Sequence, residues 1–220
     1  MNLPTIILTT TVNVQNKVYL FQTDKNERAQ VYTRKIKQWL AETRFRIIVV
    51  ENTGYKFEEL SEEIEKYKDR FEIISYVESE LDEAAFLQGN PYKGASEMFS
   101  INYAYHHSEL VKQNSPDFII KITGRFFIPD LQNYVSEIDL NMMDVLVQNK
   151  KNRCEMVGCH KNNFETVFSN TLVDHTGNYS GNVEDVYQFR CSSYEKVVHC
   201  PVFGIEGTQR GGINEVFYNI

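Results

Sequence analysis

Four short runs rich in β-branched and aromatic residues are spaced along the first part of the chain. They are Thr5 to Val12 (TIILTTTV), Phe45 to Val50 (FRIIVV), Phe71 to Val77 (FEIISYV) and the run that opens at Phe118 (FIIKIT). Each reads as a buried strand. The segments between them have helical spacing. From Arg28 to Leu40 one face carries Tyr32, Ile36, Trp39 and Leu40, leaving Arg34, Lys35 and Lys37 for the other. Phe57, Leu60, Ile64 and Tyr67 mark a second helix, and Lys93-Gly94-Ala95-Ser96-Glu97 opens a third, with Met98, Ile101 and Tyr105 inside. Strands separated by crossover-length helices predict an α/β fold, a mostly parallel central sheet flanked by helices. Asp144 to Gln148, Glu155 to Gly158 and Val197-Val198 are weaker strand signals, and Glu78 to Tyr92 reads as irregular and acidic.

A chain of 220 residues suits a single domain, 1–220, and 42% hydrophobic with 24% charged residues is an ordinary globular composition. A net charge of −7 argues against a nucleic-acid surface, which needs a basic face, and leaves room for a local cluster of cations. The N-terminus has no basic leader and only a three-residue apolar run, so neither a signal peptide nor a membrane span is expected. The expected location is cytoplasmic, and the host cytoplasm if the source is viral. Cys154, Cys159, Cys191 and Cys200 then read as free thiols, and with His160 and His199 they match no paired C-x-x-C zinc spacing.

In a parallel sheet the ligand sits outside the carboxyl ends of the strands. Here those ends read Thr9-Thr10-Thr11, Glu51-Asn52-Thr53-Gly54, the Glu78 segment and Lys121-Ile122-Thr123-Gly124-Arg125. Strand ends are commonly polar, and the threonines alone require no ligand. The last stretch asks for more. Lys121, Thr123 and Arg125 alternate to one side of an extended chain, and Gly124 lets the backbone turn or come close to a ligand. A guanidinium fork and an ammonium together suit a phosphate or diphosphate. Lys93-Gly94 at a helix start adds a third cation and free backbone N–H groups. The competing assignment pairs Lys121 and Arg125 with carboxylates such as Glu97 or Asp130. There is no Walker-type loop and no G-x-G-x-x-G.

The order of several motifs resembles that of small GT-A-fold glycosyltransferase domains found in bacterial surface-polysaccharide clusters and in large DNA viruses. Arg28-x-x-x-Tyr32 precedes the Trp39-Leu40 helix, and Val50-Glu51-Asn52-Thr53-Gly54-Tyr55 follows the second strand. Lys93-Gly94-x-x-Glu97 opens a helix and Lys121-Ile122-Thr123-Gly124-Arg125-Phe126 closes the fourth strand. Glu184-x-x-Tyr187 and Pro201-x-x-Gly204-x-x-Gly207 come later. The resemblance implies a nucleoside-diphosphate sugar, such as a UDP-sugar, as donor co-substrate. A hexosyl unit would pass to a hydroxyl of a glycan or glycoprotein acceptor. Thr9, Thr10, Thr11, Glu51 and Asn52 would then hold base and ribose, and Lys93, Lys121 and Arg125 would face the diphosphate. Residues 1 to about 130 would form the donor half and the rest the acceptor half.

Many such enzymes hold Mn²⁺ or Mg²⁺ with an Asp-x-Asp motif, which is absent here. Glu78-Ser79-Glu80 or Glu80-Leu81-Asp82 are the nearest carboxylate substitutes, and the cations themselves could neutralise a leaving diphosphate. The metal is left open. Removing a proton from the acceptor calls for a carboxylate, and Glu184 with Asp185 is the candidate pair. Acidic residues in the first turn of a helix equally suit the helix dipole. Glu97 is a second candidate base, or a partner that orients Lys93. Arg210, in Gly207-Thr208-Gln209-Arg210-Gly211-Gly212, belongs either to a loop closing over a phosphate or to a surface turn. The alternatives to a glycosyltransferase are a non-catalytic nucleotide- or carbohydrate-binding module and a sugar-nucleotide nucleotidyltransferase. The last usually needs a glycine-rich basic loop after the first strand, which TTTVNVQNKVY does not supply.

Overall fold

The computed structural model describes residues 3–14, 20–90, 92–149, 153–170, 182–210, 212 and 214–220. Its centre is a seven-stranded sheet. Strands β1 (Thr5–Thr10), β2 (Arg46–Glu51), β3 (Phe71–Ser75) and β4 (Phe118–Thr123) pair in parallel in the order β3-β2-β1-β4. Beyond β4 come β6 (Met156–His160), β5 (Val145–Val147) and β7 (Val197–His199). Only β6 runs antiparallel to β4 and β5, so the mostly parallel α/β architecture expected from the sequence is present. That single reversal has a consequence. It brings the start of β6, with Cys154 and Glu155 just ahead of it, to the edge where β1, β2 and β4 end.

Alternation along the strands divides the core in two. Ile6, Leu8, Ile47, Val49, Ile120 and Ile122 pack against α1 (Lys25–Glu42) and α5 (Leu131–Ser136). Ile7, Ile48, Val50 and Ile119 pack against α3 (Lys93–His107), α6 (Phe164–Val167) and α7 (Val183–Ser192). Two further helices, α2 (Ser61–Lys66) and α4 (Glu109–Asn114), complete the set among the described residues. A hairpin of β8 (Gly204–Gln209) and β9 (Val216–Asn219) forms a separate two-stranded sheet, which the sequence did not signal. Phe203 and Ile220 exchange backbone hydrogen bonds of 2.8 and 2.9 Å and seat its base on the first core. No described helix is long and apolar enough to cross a membrane.

Helix α1 sets the geometry of the site edge. Asp24 caps it by accepting from Glu27 N at 2.8 Å, which satisfies one of the N–H groups that a helix start leaves over. Its inner stripe includes the expected Tyr32, Ile36, Trp39 and Leu40, but also Arg28 and Lys35. Lys35 was expected on the outer face. Instead it is 1% exposed and reaches Glu206 of β8 at 2.6 Å, and Arg34 meets the same carboxylate. These two bonds hold the Glu206 carboxyl below its ordinary value and fasten the hairpin to α1. Trp39, fully buried between Phe45 and Phe127, donates its indole N–H to the Phe126 carbonyl at 2.9 Å. The chain leaving β4 is thereby fixed one residue after Arg125.

The segment Phe57 to Tyr67 is not one helix. Phe57 takes a left-handed backbone conformation (φ 50°), so a 3₁₀ turn over Glu58–Leu60 precedes α2. Strand β1 stops at Thr10 rather than Val12, because the Glu51 carboxylate takes the Val12 N–H at 2.9 Å and turns the chain away.

Trp39→Phe keeps an aromatic core but leaves the Phe126 carbonyl without its buried donor. Urea denaturation is expected to show a loss of about 2 kcal/mol, against about 3–5 kcal/mol for Trp39→Ala. A Phe variant as stable as wild type would show that the indole bond does not hold this corner.

Candidate functional site

The carboxyl ends of β1, β2 and β4, the start of β6, and the N-terminal turns of α3 and α7 converge on one cavity of about 140 Å³. Its walls include Thr9, Thr10, Thr11, Asn52, Lys93, Glu97, Thr123, Arg125, Glu184 and Arg210 from the sequence expectations. It shares Thr11, Val14 and Asn52 with a wider cavity of about 770 Å³ that runs over the ends of β2 and β3 along Glu78. The first alone is smaller than the roughly 300–1,000 Å³ of small-molecule sites, and its neighbour supplies the rest.

Two guanidinium groups meet at the Tyr32 hydroxyl. Arg28 donates to it at 2.9 Å and Arg125 at 3.4 Å. Arg28 also donates to the Thr11 carbonyl (2.7 Å) and the Gln22 carbonyl (2.9 Å), so all three of its nitrogens have partners. Burial lowers the Arg28 pKa; Tyr32 works against this and Arg125 adds to it. Arg125 is 8% exposed, and its remaining N–H groups have no protein partner among the described residues. Lys93 likewise has no ion pair or hydrogen bond among them. Crowding at its ammonium lowers its pKa even though the side chain reaches solvent, with Glu97 and Glu184 opposing and Arg125 and Arg210 reinforcing the shift. Arg210, at the end of β8, lies 3.7 Å from Glu184 and 3.9 Å from Glu155.

The carboxylates are more firmly held. Glu155 is 7% exposed and accepts from Arg153 Nε at 3.0 Å to both oxygens. Burial alone would raise its pKa, but the hydrogen bond and charge of Arg153, with a backbone bond and Arg210, together keep it lowered. Arg153 in turn lies 4.0 Å over the Phe217 ring of β9. Glu97 accepts from Thr9 Oγ1 at 3.3 Å and forms an ion pair with Lys121.

Five expected site residues do not line the cavity. Lys121 is fully buried beneath it, ion-paired to Glu97 and donating to the Cys154 carbonyl at 2.6 Å. Burial works to depress its pKa, yet the charge and hydrogen bond of Glu97, with Cys154 and Glu155, together raise it. The competing assignment, a carboxylate partner, therefore describes Lys121 in this structure. Arg125 takes no such partner. Glu51, also fully buried, accepts from Val12 N, Thr53 N, Thr53 Oγ1 and Tyr55 N at 2.6–2.9 Å, so its carboxylate builds the turn after β2. Gly124 comes close to protein rather than ligand: a Cβ there would stand 2.9 Å from the Thr9 carbonyl. Gly94 makes the same kind of approach to Val183, 2.9 Å from its Cβ, which brings the first turns of α3 and α7 together. Asp185 points away, exposed and accepting from Asn182 at 2.9 Å.

The acidic segment does not gather into a metal centre. Glu78 accepts from Asn52 (3.0 Å) and Ser96 (2.9 Å), while Glu80 and Asp82 lie exposed on 3₁₀ turns. Among the described residues no three His, Cys, Asp or Glu side chains converge. The described residues thus offer no ready donor set for Mn²⁺ or Mg²⁺. The four cysteines are buried, free and divided between the two cores.

Arg28, Tyr32 and Glu155 are site residues that the sequence expectations did not include. Arg28 and Tyr32 stand one helical turn apart on an apolar face. A cation on the inner stripe of α1 was their available signal. Glu155 had none, because its place depends on β6 running backwards.

No protein-family model matches the sequence, and no curated protein is significantly similar to it. Among solved structures the chain is similar to a candidate nucleotide-diphospho-sugar transferase from Desulfovibrio desulfuricans G20. Identity is 18% over 90% of this chain and 79% of that one, with a TM-score of 0.48. It is also similar to residues 1–349 of TarS from S. aureus, at 13% identity over 89% of this chain and 57% of that one, with a TM-score of 0.45. A third is a CMP:2-keto-3-deoxy-manno-octonic acid synthetase complexed with CTP, at 11% identity, 96% and 93% coverage and a TM-score of 0.45. Scores of this size describe a loose likeness in the course of the chain, and the chemistry rests on the site's own residues.

Glu97→Gln leaves the Lys121 charge buried without a counter-charge. Equilibrium unfolding is expected to show a loss of about 3 kcal/mol, the low end of the range for a broken buried pair because Glu97 is 20% exposed. The double variant Lys121→Met/Glu97→Leu should recover most of it. A single-variant loss below about 1 kcal/mol would contradict a buried, structural pair.

Proposed function

We propose that this chain is a glycosyltransferase that passes a hexosyl unit from a nucleoside-diphosphate sugar to a hydroxyl of a glycan or glycoprotein. One observation carries the reading. At the carboxyl edge of the parallel strands, Arg125 and Lys93 stand without a carboxylate partner among the described residues, near a half-buried carboxylate, Glu184. Cations without a counter-charge suit a diphosphate, and the strand edge is where an α/β sheet takes its ligand. The Tyr32 hydroxyl, fixed by Arg28, holds Arg125 in register.

The remaining groups fit a donor laid across both cavities. Asn52, held by its bond to Glu78, lines both cavities and forms a wall against which a base such as uracil would lie. Thr9 and Thr11 line the path between base and phosphates. Residues from both proposed halves meet here: Thr9 to Arg125 from the donor half, and Glu155, Glu184 and Arg210 from the other.

In an inverting transfer the acceptor O–H gives its proton to Glu184 as its oxygen bonds to the anomeric carbon. The bond from that carbon to the diphosphate breaks, and the electron pair leaves with the nucleoside diphosphate. Arg125, Lys93 and Arg210 then stabilise the charge that grows on the leaving group.

A thermal-shift panel of nucleoside diphosphates and their sugars tests the donor site. A ligand present at 100 times its Kd stabilises the native state by about 2.7 kcal/mol. Arg125→Ala should weaken the responding nucleotide roughly 10- to 100-fold, the equivalent of about 1.5–3 kcal/mol for a charged hydrogen-bonded contact. Glu184→Gln should keep the shift and lose on the order of 10²- to 10⁴-fold in nucleoside-diphosphate release. A panel with no response at millimolar ligand would contradict the reading, and binding without any turnover would favour a non-catalytic module.

A further inference from the structure

Lysines in this chain are mostly spoken for. Lys35, Lys37, Lys68, Lys112, Lys121 and Lys161 each pair with a carboxylate. Lys93 has no such pair among the described residues, although it stands in the wall of the first cavity and reaches solvent. Desolvation there disfavours its ammonium, and the Arg125 and Arg210 charges add to that against Glu97 and Glu184, so its pKa is lowered. Lys68 moves the other way, because its bond to Glu65 holds the proton on. An amine crowded by burial and by neighbouring cations is the kind that turns nucleophilic and attacks carbonyl carbon.

The two guanidinium groups that crowd this amine are also the anion-holding groups of the same wall. Arg125 is 8% exposed, lines the cavity and donates to the Tyr32 hydroxyl at 3.4 Å; the rest of its fork has no partner among the described residues. Arg210 lines the cavity too and reaches Glu184 and Glu155 only at 3.7 and 3.9 Å. A fork of this type suits a phosphate oxygen pair.

A nucleophilic amine beside a phosphate fork selects a ligand with two ends. One end carries a phosphate, and the other carries an electrophilic carbon that an amine captures reversibly. The inner cavity, of about 140 Å³, is below the roughly 300–1,000 Å³ of sites for larger ligands, so a ligand confined to it is short. A small aldehyde bearing a phosphate ester meets all of these conditions.

We infer that Lys93 is a covalent capture site for short phosphorylated aldehydes, with the phosphate on Arg125 and Arg210 and the carbonyl carbon bonded to Nζ. The neutral amine adds its lone pair to the aldehyde carbon, and the carbonyl π pair moves to oxygen, which takes up a proton. That hydroxyl then leaves as water as the C=N bond forms, so amine and aldehyde give imine and water with no oxidant or reductant. Protonation leaves a cationic iminium, whose charge Glu97 and Glu184 offset. The adduct occupies the cations of the cavity and so blocks any other anion there. It involves no nucleotide, and it goes beyond the donor reading without resting on it.

Incubation of the whole chain with glyceraldehyde 3-phosphate and sodium cyanoborohydride tests this, since the reagent reduces the imine to a stable secondary amine. Peptide mass spectrometry then locates the label. Lys93 should react about tenfold faster than Lys56 and Lys196, which are exposed and lie outside the cavity. Glyceraldehyde without the phosphate should lose most of that advantage. Arg125→Ala should slow Lys93 roughly tenfold and leave Lys56 unchanged, with a cooperative melt to confirm that the variant is folded. The inference is overturned if Lys93 reacts no faster than Lys56 and Lys196, or if unphosphorylated glyceraldehyde labels it equally fast. Nucleoside diphosphates added to the same reaction separate this site from the donor reading. Fast labelling with neither protection nor a thermal shift leaves the capture site standing and removes the donor site. A nucleotide thermal shift with slow Lys93 labelling removes the capture site alone.

Discussion

The site edge depends on the neutralisation of one buried ammonium. Lys121 sits in the middle of the sheet, in register with Ile7 of β1 and Val157 of β6, where no water reaches it. A charge in that position is tolerable only if paired and fully hydrogen-bonded. Glu97 from α3 supplies the charge and the Cys154 carbonyl supplies the second bond. Each of these partners commits a piece of chain. Glu97 fixes the rotation of α3 and so the place of Lys93 one turn earlier. Cys154 fixes the approach to β6 and so the place of Glu155. Thr9 completes the link to β1. The same ion pair thus holds three walls of the cavity, with Lys121 beneath it and Glu97 in its lining.

A division of labour among cations follows. Arg28, Lys35 and Lys121 are all buried and all bonded within the protein, where they position α1, the β8–β9 hairpin and α3. Lys93 and Arg125 face the cavity, and Arg210 reaches Glu155 and Glu184 only at 3.7–3.9 Å. The buried set positions the cavity-facing one, and on the proposed reading this pre-organises it for an anion in a protein with a net charge of −7. Tyr32 is the hinge between the two sets, since its hydroxyl receives a fully used guanidinium on one side and a partly used one on the other.

The layers of the fold were readable because period-2 and period-3.6 patterns alternate cleanly through β4. The strand-end rule then placed Thr9, Asn52 and Arg125 together, and the helix start at Lys93 added a further cation. What spacing does not contain is the direction in which a polar side chain finds its partner. Lys121 and Thr123 share a strand face, yet one is sealed beneath the cavity and the other lines it. Glu51 reads as a ligand group, and only the turn geometry shows its carboxylate occupied by three backbone N–H groups and a hydroxyl. The last third was less legible. Strands β5 and β7 are only three residues long, and the reversal of β6 and the β8–β9 pairing are tertiary outcomes with no local pattern.

The most direct measurement is a crystal structure of the chain with a nucleoside diphosphate bound. The account predicts phosphate oxygens within hydrogen-bond distance of Arg125 and Lys93, a base against Asn52, and Lys121 still paired to Glu97 beneath them. A diphosphate bound away from the sheet edge, or one that draws Lys121 out of its pair with Glu97, would contradict it.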